Sequence, residues 1–288
     1  MKLAHLILVH SNPVQTEKLI KRLYHPDADI YIHLDAKAPI DEFQYLTENQ
    51  VTFIRTRVSI KWGDYSMVKA TLRSFEEILA SGVEYSHINL LSGQDYPLKS
   101  AQEIQKFLFA NQGKTFMRSL AIPEEWDEPV GRLEKYNLGD LKFPGKYIVQ
   151  DIINKILPKR KLPNHLKAYG RSQWFTITPE CALYTIKYLK ENSNVRRFFK
   201  RTWAADELIF QTILFNSELK HTIVNDHLRY IKFRKGDSRP KTLTVEDKNA
   251  LLSSGKFYAR KFDILKDSAI LYLLDKIIDA EILINNCV

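Results

Sequence analysis

The stretch TWAADELIFQTIL carries an acidic pair, Asp206 and Glu207, directly before a run of large apolar residues. A carboxylate in apolar surroundings can have a pKa that suits it to take a proton from a hydroxyl group, which is the chemistry of a general base. An ordinary helix start has the same pattern, because acids in the first turn complement the positive end of the helix dipole. The local pattern favours the helix start, with a buried stripe formed by Leu208, Ile209, Thr212 and Ile213.

Three more polar residues stand where a predicted strand ends. His10 follows LAHLILV, Asp35 follows ADIYIHL, and Asp95 follows YSHINLL and a short polar turn. In open α/β sheets, ligands collect beyond the carboxyl ends of the strands. These residues therefore predict a binding crevice, in which Asp95 either contacts a ligand or bonds nearby backbone amides as a turn residue.

The elements that must position these residues alternate between strands and helices. Helical patterns such as PVQTEKLIKRLY and YSMVKATLRSFEEILAS separate the strand patterns. This alternation predicts a three-layer α/β sheet. From about residue 122 to 169 the pattern loosens, with five prolines and one short helix, YIVQDIINKIL. Because long excursions are commonly binding loops or lids, we predict one continuous domain over 1–288 with an excursion at 122–169.

Composition bounds the class of protein. With 288 residues, 44% of them hydrophobic, the chain can bury a full core. Its apolar N-terminal stretch is too short for a secretory signal, and no apolar run reaches the roughly 20 residues of a membrane span, so a soluble, cytoplasmic protein is expected. Two cysteines, Cys181 and Cys287, are too few for a zinc cluster and predict no disulfide framework.

The formal net charge is +9, from 43 basic and 34 acidic residues. A basic excess suits polyanions, phosphorylated ligands or an anionic membrane surface. The sequence has no zinc-finger spacing, no aromatic motif of the RNA-recognition type and no basic heptads, so nucleic acid is not expected as a partner. Most of the basic residues from Arg229 to Lys261 are expected to be solvated. Lys261 is less easily explained in this way, because it stands between the aromatic residues Tyr258 and Phe262.

Seven segments of the chain, taken together and in order, resemble the core-2/I-branching family of β-1,6-N-acetylglucosaminyltransferases, which includes the peptide O-xylosyltransferases. They are LILVHSN, YIHLDAK, WGDYSMVKATL, LLSGQDYPLKS, GRSQWFTIT, ADELIFQTIL and FYARKFD. The resemblance implies a GT-A type, Rossmann-like fold and an inverting sugar transfer from a UDP-sugar donor, with no metal or other cofactor. The excursion at 122–169 is the least similar part, and acceptor recognition is expected there.

The resemblance also implies which residues bind the donor. Nucleotide binding falls on the strand-end segments, at Val9, His10, Asp35, Ala36, Lys37 and Trp62. The diphosphate would be held by Lys261 together with either Arg239 or Lys241.

For the reaction itself, the resemblance implies that Glu207 is the general base, which leaves Asp206 to support the helix start. In this context Asp95 would bind donor or acceptor hydroxyl groups, with the turn role as its alternative. Trp174 would either stack against a sugar ring or fill the core.

The cysteines and the membrane anchor of eukaryotic members are absent from this sequence, which fits a bacterial-type cytoplasmic relative in peripheral contact with the inner face of the membrane. The expected acceptor is a glycan or lipid-linked glycan of surface polysaccharide synthesis. The donor sugar stays open between N-acetylglucosamine and xylose.

Two other functions stay open. A metal-dependent transferase would hold Mn²⁺ or Mg²⁺ with Asp35 or Asp95. The sequence from Asp27 to Asp29 has the letters of an Asp-x-Asp metal motif, but it precedes its strand, so we predict a solvated turn at the opposite edge of the sheet. A basic module that binds polyanions would not need the His and Asp residues at strand ends, and its binding would fall steeply with salt.

Overall fold

The computed structural model describes residues 1–234 and 236–286 of the chain. The strands are β1 (Lys2–Val9), β2 (Ala28–Leu34), β3 (Val51–Phe53), β4 (Tyr85–Ser92), β5 (Asp95–Pro97), β6 (Thr115–Phe116), β7 (Ser119–Ile122), β8 (Ala168–Arg171), β9 (Thr176–Ile177), β10 (Ile223–Val224), β11 (Arg229–Ile231) and β12 (Tyr258–Arg260). The helices are α1 (Pro13–Leu23), α2 (Ser66–Leu79), α3 (Ala101–Ala110), α4 (Val130–Glu134), α5 (Lys146–Ile156), α6 (Pro179–Glu191), α7 (Ser193–Phe199), α8 (Ile209–Phe215), α9 (Lys248–Leu252) and α10 (Ala269–Asn286).

The central sheet has seven strands in the order β10-β6-β9-β4-β1-β2-β3. The strands β4, β1, β2 and β3 are parallel neighbours, whereas β9 runs antiparallel to both β4 and β6. Parallel neighbours bring the carboxyl ends of β1 and β2 to one edge of the sheet, where His10 and Asp35 follow them.

Helices cover both faces of this sheet. Along β1 the buried side chains alternate, so that Leu6 and Leu8 pack with Phe75 of α2, while Ile7 and Val9 pack in a second core cluster that contains residues of α1. A strand that is apolar on both faces is the usual consequence of helices on both sides. The predicted three-layer α/β architecture is confirmed.

The excursion leaves and rejoins the main fold at one point. Strands β7 and β8 are antiparallel partners, and Ile122 lies opposite Ala168, so the intervening residues form an outgrowth closed at its base. The predicted short helix is confirmed as α5, and the structure adds α4, which the sequence pattern did not predict.

A second, three-stranded sheet joins distant parts of the chain in the order β11-β12-β5. Its antiparallel register sets Arg260 of β12 opposite Asp95 of β5. The turn segment SGQDYP therefore lies against the C-terminal segment ARKFD, although they are far apart in sequence.

The remaining expectations concern peripheral features. Asp29 lies inside β2, where it accepts hydrogen bonds from Lys2 and Tyr85, so only its position at the opposite edge of the sheet was predicted correctly. Cys181 is buried, and Cys287 lies outside the described residues. Among the helices in residues 1–234 and 236–286, none is both long and apolar enough to cross a membrane.

Candidate active site

Glu207 is held by a short turn that the sequence pattern did not predict. Residues Ala205–Glu207 form a single 3₁₀ turn, and α8 begins only at Ile209. Ala204 enters this turn with a left-handed backbone (φ 52°), and its amide donates to the carbonyl of Gly63 at 2.7 Å. The turn breaks the helix that TWAADELIFQTIL predicts, and it presents Glu207 beside α8 instead of within its first turn.

Asp206 does not cap the helix, so that prediction is wrong. No side chain caps α8, and the Asp206 side chain is buried, with Oδ1 lacking any hydrogen-bond partner in the described chain. Burial, reinforced by the negative charge of Glu207, raises the pKa of the Asp206 carboxyl to about 7. Asp206 is therefore a buried acid behind the candidate base.

The raised pKa of Asp206 predicts a specific pH dependence of stability. The folded state binds the Asp206 proton more tightly than the unfolded chain does. The contribution of this proton to the free energy of unfolding is therefore largest below the ordinary pKa of an aspartate, and it is lost as the pH rises through about 7. Asp206→Asn should remove this loss. In urea unfolding at pH 5 and pH 8, we expect the variant to gain on the order of 2 kcal/mol relative to the original protein at the higher pH. An equal difference at both pH values would contradict the assignment.

Arg132 is a functional candidate that sequence reasoning missed. Its Nη1 donates to Oε2 of Glu207 at 2.7 Å, while its other side binds Glu128 of the same excursion. The Glu207 side chain is 36% exposed, whereas the Arg132 side chain is only 15% exposed. A residue of α4 thus forms an ion pair with the candidate base. No motif marks Arg132, because α4 is short and lies in the least patterned part of the sequence.

Two glycines allow the close contacts around Glu207. A Cβ at Gly63, which has φ +76°, would come within 2.5 Å of Nε1 of Trp203. A Cβ at Gly170 in β8 would lie 2.6 Å from the carbonyl oxygen of Glu207. A side chain at either position would displace the turn that carries Glu207.

Aromatic and basic side chains line one wall of the cleft. The Arg132 guanidinium lies 4.6 Å from the Trp203 ring centroid, and Trp203 meets Trp62 edge-to-face at 5.3 Å. Arg239 in turn lies over Trp62 at 5.5 Å. Trp62 keeps 54% of its exposure, so its ring is available to a ligand. Successive contacts through Arg132, Trp203 and Trp62 therefore connect Glu207 to Arg239.

Lys261 closes this wall on the other side. Burial lowers the pKa of Lys261, and the positive charges of Arg239 and Arg260 lower it further. Its side chain makes no hydrogen bond or ion pair among the described residues. A lysine without a bound anion beside two further cations favours a negatively charged ligand, such as a diphosphate.

Arg260 and Asp95 form the floor. Asp95 is completely buried; its Oδ1 lies 3.5 Å from Nε of Arg260, and its Oδ2 accepts from the amide of Ser92. Asp95 is thus out of direct reach of a ligand in the cleft, and the geometry supports its alternative role as a turn residue. Arg260 stacks on Trp174, with the guanidinium 4.0 Å from the ring centroid. The half-buried Trp174 therefore covers Arg260 and packs against the core.

The segment that follows β2 is fixed by Asp35. Its two carboxylate oxygens accept from the amides of Lys37 at 2.9 Å and Ile60 at 3.3 Å, which ties the loop after β2 to the loop after β3. The amide of Asp35 donates to the carbonyl of Val9 at 2.8 Å. The side chain of Val9 is buried in the core, so only its backbone can face a ligand.

The other predicted nucleotide residues lie on the surface of the same crevice. Ala36 and Lys37 are exposed, and Nζ of Lys37 donates to the carbonyl of Ile60 at 2.5 Å. His10 is exposed as a residue, although desolvation of its ring lowers its pKa. The structure thus brings the residues after β1 and β2 together, as expected.

Lys241 is already bound to a carboxylate of the protein. Its Nζ forms an ion pair with buried Asp247 at 2.6 Å, and the Lys241 side chain is 14% exposed. Arg239, the alternative, is exposed and close enough to Lys261 to affect its pKa. Of the two predicted partners of Lys261, the geometry favours Arg239.

The fold and these residues together define a site with three parts: the carboxyl ends of parallel strands, a carboxylate paired with Arg132, and a group of neighbouring cations around Lys261. The family model described as Core-2/I-Branching enzyme matches residues 3–252. The chain therefore belongs to this family of glycosyltransferases, which confirms the family expected from the sequence. The seven-stranded, mostly parallel sheet is the GT-A type core that this family implies.

Relatives with assigned names are xylosyltransferases. The chain is 24% identical to Xylosyltransferase oxt of Drosophila pseudoobscura pseudoobscura, and 24% identical to Xylosyltransferase 2 of Rattus norvegicus and of Homo sapiens, in each case over 96% of this chain. The chain spans only about a third of the length of these relatives, 33% in each case.

Solved structures are similar only at a distance. The apo structure of the bifunctional glycosyltransferase WbbM aligns with 90% of this chain and 45% of that chain, at 11% identity and a TM-score of 0.44. The 4-diphosphocytidyl-2C-methyl-D-erythritol synthase structure aligns with 70% of this chain and 86% of that one, at 9% identity and a TM-score of 0.35. Neither similarity is close enough to carry an argument.

Proposed function

We propose that this chain is an inverting, metal-independent glycosyltransferase that moves N-acetylglucosamine or xylose from a UDP-sugar to a hydroxyl group of a glycan or lipid-linked glycan. A surface polysaccharide intermediate is the proposed acceptor.

One observation carries the proposal: a series of contacting side chains connects the candidate base to a group of cations. The contacts lead from Glu207 through Arg132, Trp203 and Trp62 to Arg239. The positive charges of Arg239 and Arg260 both act on Lys261. A carboxylate together with nearby cations is what a displacement with an anionic leaving group requires.

The reaction follows from this arrangement. The acceptor hydroxyl attacks the anomeric carbon and transfers its proton to the Glu207 carboxylate, while the bond to the UDP oxygen breaks. The negative charge that develops on the departing diphosphate is stabilised by Lys261 and Arg239. The ion pair with Arg132 fixes the position of the Glu207 carboxylate that accepts this proton.

The donor sets for a divalent metal are poor in this crevice. Both oxygens of Asp35 accept backbone amides, and Asp95 faces a guanidinium. In the part of the chain that the structure describes, no group of three His, Cys, Asp or Glu side chains is placed to hold a metal ion. The metal-dependent alternative is therefore less well supported by the residues present.

A panel of UDP-sugars tests the proposed function. We expect the chain to release UDP from UDP-N-acetylglucosamine or UDP-xylose, slowly by hydrolysis without an acceptor, and to do so equally well with excess EDTA. UDP release should be measured after removal of bound metal and again after addition of Mn²⁺. Activity that depends on Mn²⁺ would establish the metal-dependent alternative, and a lack of any UDP-sugar binding would refute the proposal.

A further inference from the structure

Helix α5 presents its apolar side chains to solvent. Ile148, Ile152 and Ile156 recur at every fourth position, so they lie on one face of the helix, and they are 68%, 49% and 75% exposed. Tyr147 and Leu157, at the two ends of the helix, are also exposed, at 54% and 46%. None of the residues of α5 is buried. A helix that packs on a protein core normally has the opposite arrangement.

The polar side chains of α5 face the protein instead. Gln150 accepts from the amide of Leu138 at 2.8 Å, and Asn154 both accepts from the amide of Tyr136 and donates to its carbonyl. Lys146 donates to the carbonyl of Leu141. Lys146, Gln150 and Asn154 are also four residues apart, so a full polar stripe attaches α5 to the backbone of the excursion. This attachment fixes the apolar stripe in an outward orientation.

Positive charge surrounds the exposed apolar stripe. Between residues 142 and 161 the sequence has six Lys or Arg residues and one acidic residue, Asp151. Lys142, Lys155 and Lys161 are exposed. An apolar helix face bordered by lysines is the pattern of helices that lie in the interface of an anionic bilayer.

A basic cavity continues this charge beside the start of α5. Its volume is about 920 Å³, and Lys142 and Lys146 contribute to its lining. Ten of the lining residues are Lys or Arg and three are Asp or Glu. The positive charge therefore reaches from the helix into a recess with room for phosphate head groups.

The same charge argues against a second copy of the chain as the partner. A symmetric dimer through α5 would bring two strongly basic surfaces together, and like charges facing each other are unfavourable. An anionic lipid surface satisfies both the apolar stripe and the lysines.

We infer that α5 docks the enzyme on an anionic membrane, with the apolar stripe immersed among the acyl chains and the lysines against the lipid phosphates. The same excursion supplies Arg132 to the candidate active site. Docking through α5 would therefore hold the acceptor side of the crevice near lipid-linked molecules. The docking itself depends only on the excursion, not on the proposed reaction.

Vesicle sedimentation with the full chain tests this inference. We expect binding to equimolar phosphatidylglycerol and phosphatidylcholine vesicles, much weaker binding to phosphatidylcholine alone, and loss of binding at high salt. The triple variant Ile148→Glu, Ile152→Glu, Ile156→Glu should reduce the partition coefficient at least about tenfold. Lys155→Gln should reduce it by about fivefold, since each lysine near an anionic surface contributes about 1 kcal/mol.

A matched control separates docking from a general change in charge. Leu183→Glu, Leu252→Glu and Leu265→Glu replace apolar residues that are 42%, 42% and 87% exposed elsewhere on the surface, and this triple variant should bind vesicles nearly as well as the original protein. Equal losses in both triple variants would overturn the inference. The inference would also be overturned if sedimentation velocity showed a dimer of the original protein that the α5 substitutions abolish and the control substitutions do not. No sugar donor is present in these measurements, so their failure leaves the proposed function untouched.

Discussion

Replacing Glu207 by Gln is expected to lower the turnover number for sugar transfer by roughly 10²- to 10⁴-fold, the usual contribution of a general base. The amide has the same shape but cannot accept the proton of the attacking hydroxyl. The substitution should leave the fold intact, because Arg132 keeps its three hydrogen bonds with Glu128 when the carboxylate is gone. UDP affinity should change little, since Glu207 is paired with Arg132 and is not one of the residues proposed to hold the diphosphate.

Asp206→Asn is the matched control for this experiment. It removes the neighbouring carboxylate from a buried position that an acceptor does not reach, so its effect on turnover should be far smaller. Transfer and UDP affinity should be measured for both variants with the donor sugar that the UDP-sugar panel identifies. If Glu207→Gln turns over at a near-normal rate, Glu207 is not the base. Asp95 could not then replace it without movement, because it is completely buried.

The sequence was sufficient for the layers of the fold and for the polar residues that follow β1 and β2. These strands are mostly apolar and stop at a polar residue, so both their burial and their carboxyl ends are encoded locally. His10 and Asp35 follow directly, and the parallel pairing of β1 with β2 brings them to one edge. These are properties of neighbouring residues, which periodicity can detect.

The surroundings of Glu207 were not predictable in the same way. The ion pair between Arg132 and Glu207 joins residues 75 positions apart, and it exists only because β7 and β8 close the excursion against the turn at Ala205–Glu207. The helix predicted across Glu207 fails for a related reason. Tertiary contacts with Gly63 and Gly170 hold a 3₁₀ turn where local propensity favours a helix.

The spacing of residues in the sequence does not decide whether Arg239 or Lys241 is the partner of Lys261. The two residues are nearly adjacent and similar in charge, so no pattern separates them. Only the fold shows that buried Asp247 binds one and that Trp62 lies under the other.

Lys261 and Lys241 should respond in opposite ways to replacement by Ala. Lys261→Ala removes a cation that is crowded by Arg239 and Arg260, so the midpoint of thermal unfolding should stay unchanged or rise. The same change removes charge from the position proposed for the departing diphosphate. We expect the turnover number to fall by about 10²- to 10³-fold, as for other losses of a group that stabilises developing charge, with weaker UDP affinity.

Lys241→Ala should lower stability and leave catalysis unchanged, because it removes the cation closest to the buried carboxylate of Asp247. Lys232 contacts the same carboxylate at 3.2 Å and remains, so the loss of unfolding free energy should be about 1–3 kcal/mol rather than complete unfolding. Turnover and UDP affinity should stay close to those of the original protein. Thermal unfolding, UDP titration and steady-state transfer measured on both variants and on Arg239→Ala decide the assignment. The diphosphate site is elsewhere if Lys261→Ala transfers sugar normally, whereas a large catalytic loss in Lys241→Ala without a loss of stability would make Lys241 the second phosphate ligand in place of Arg239.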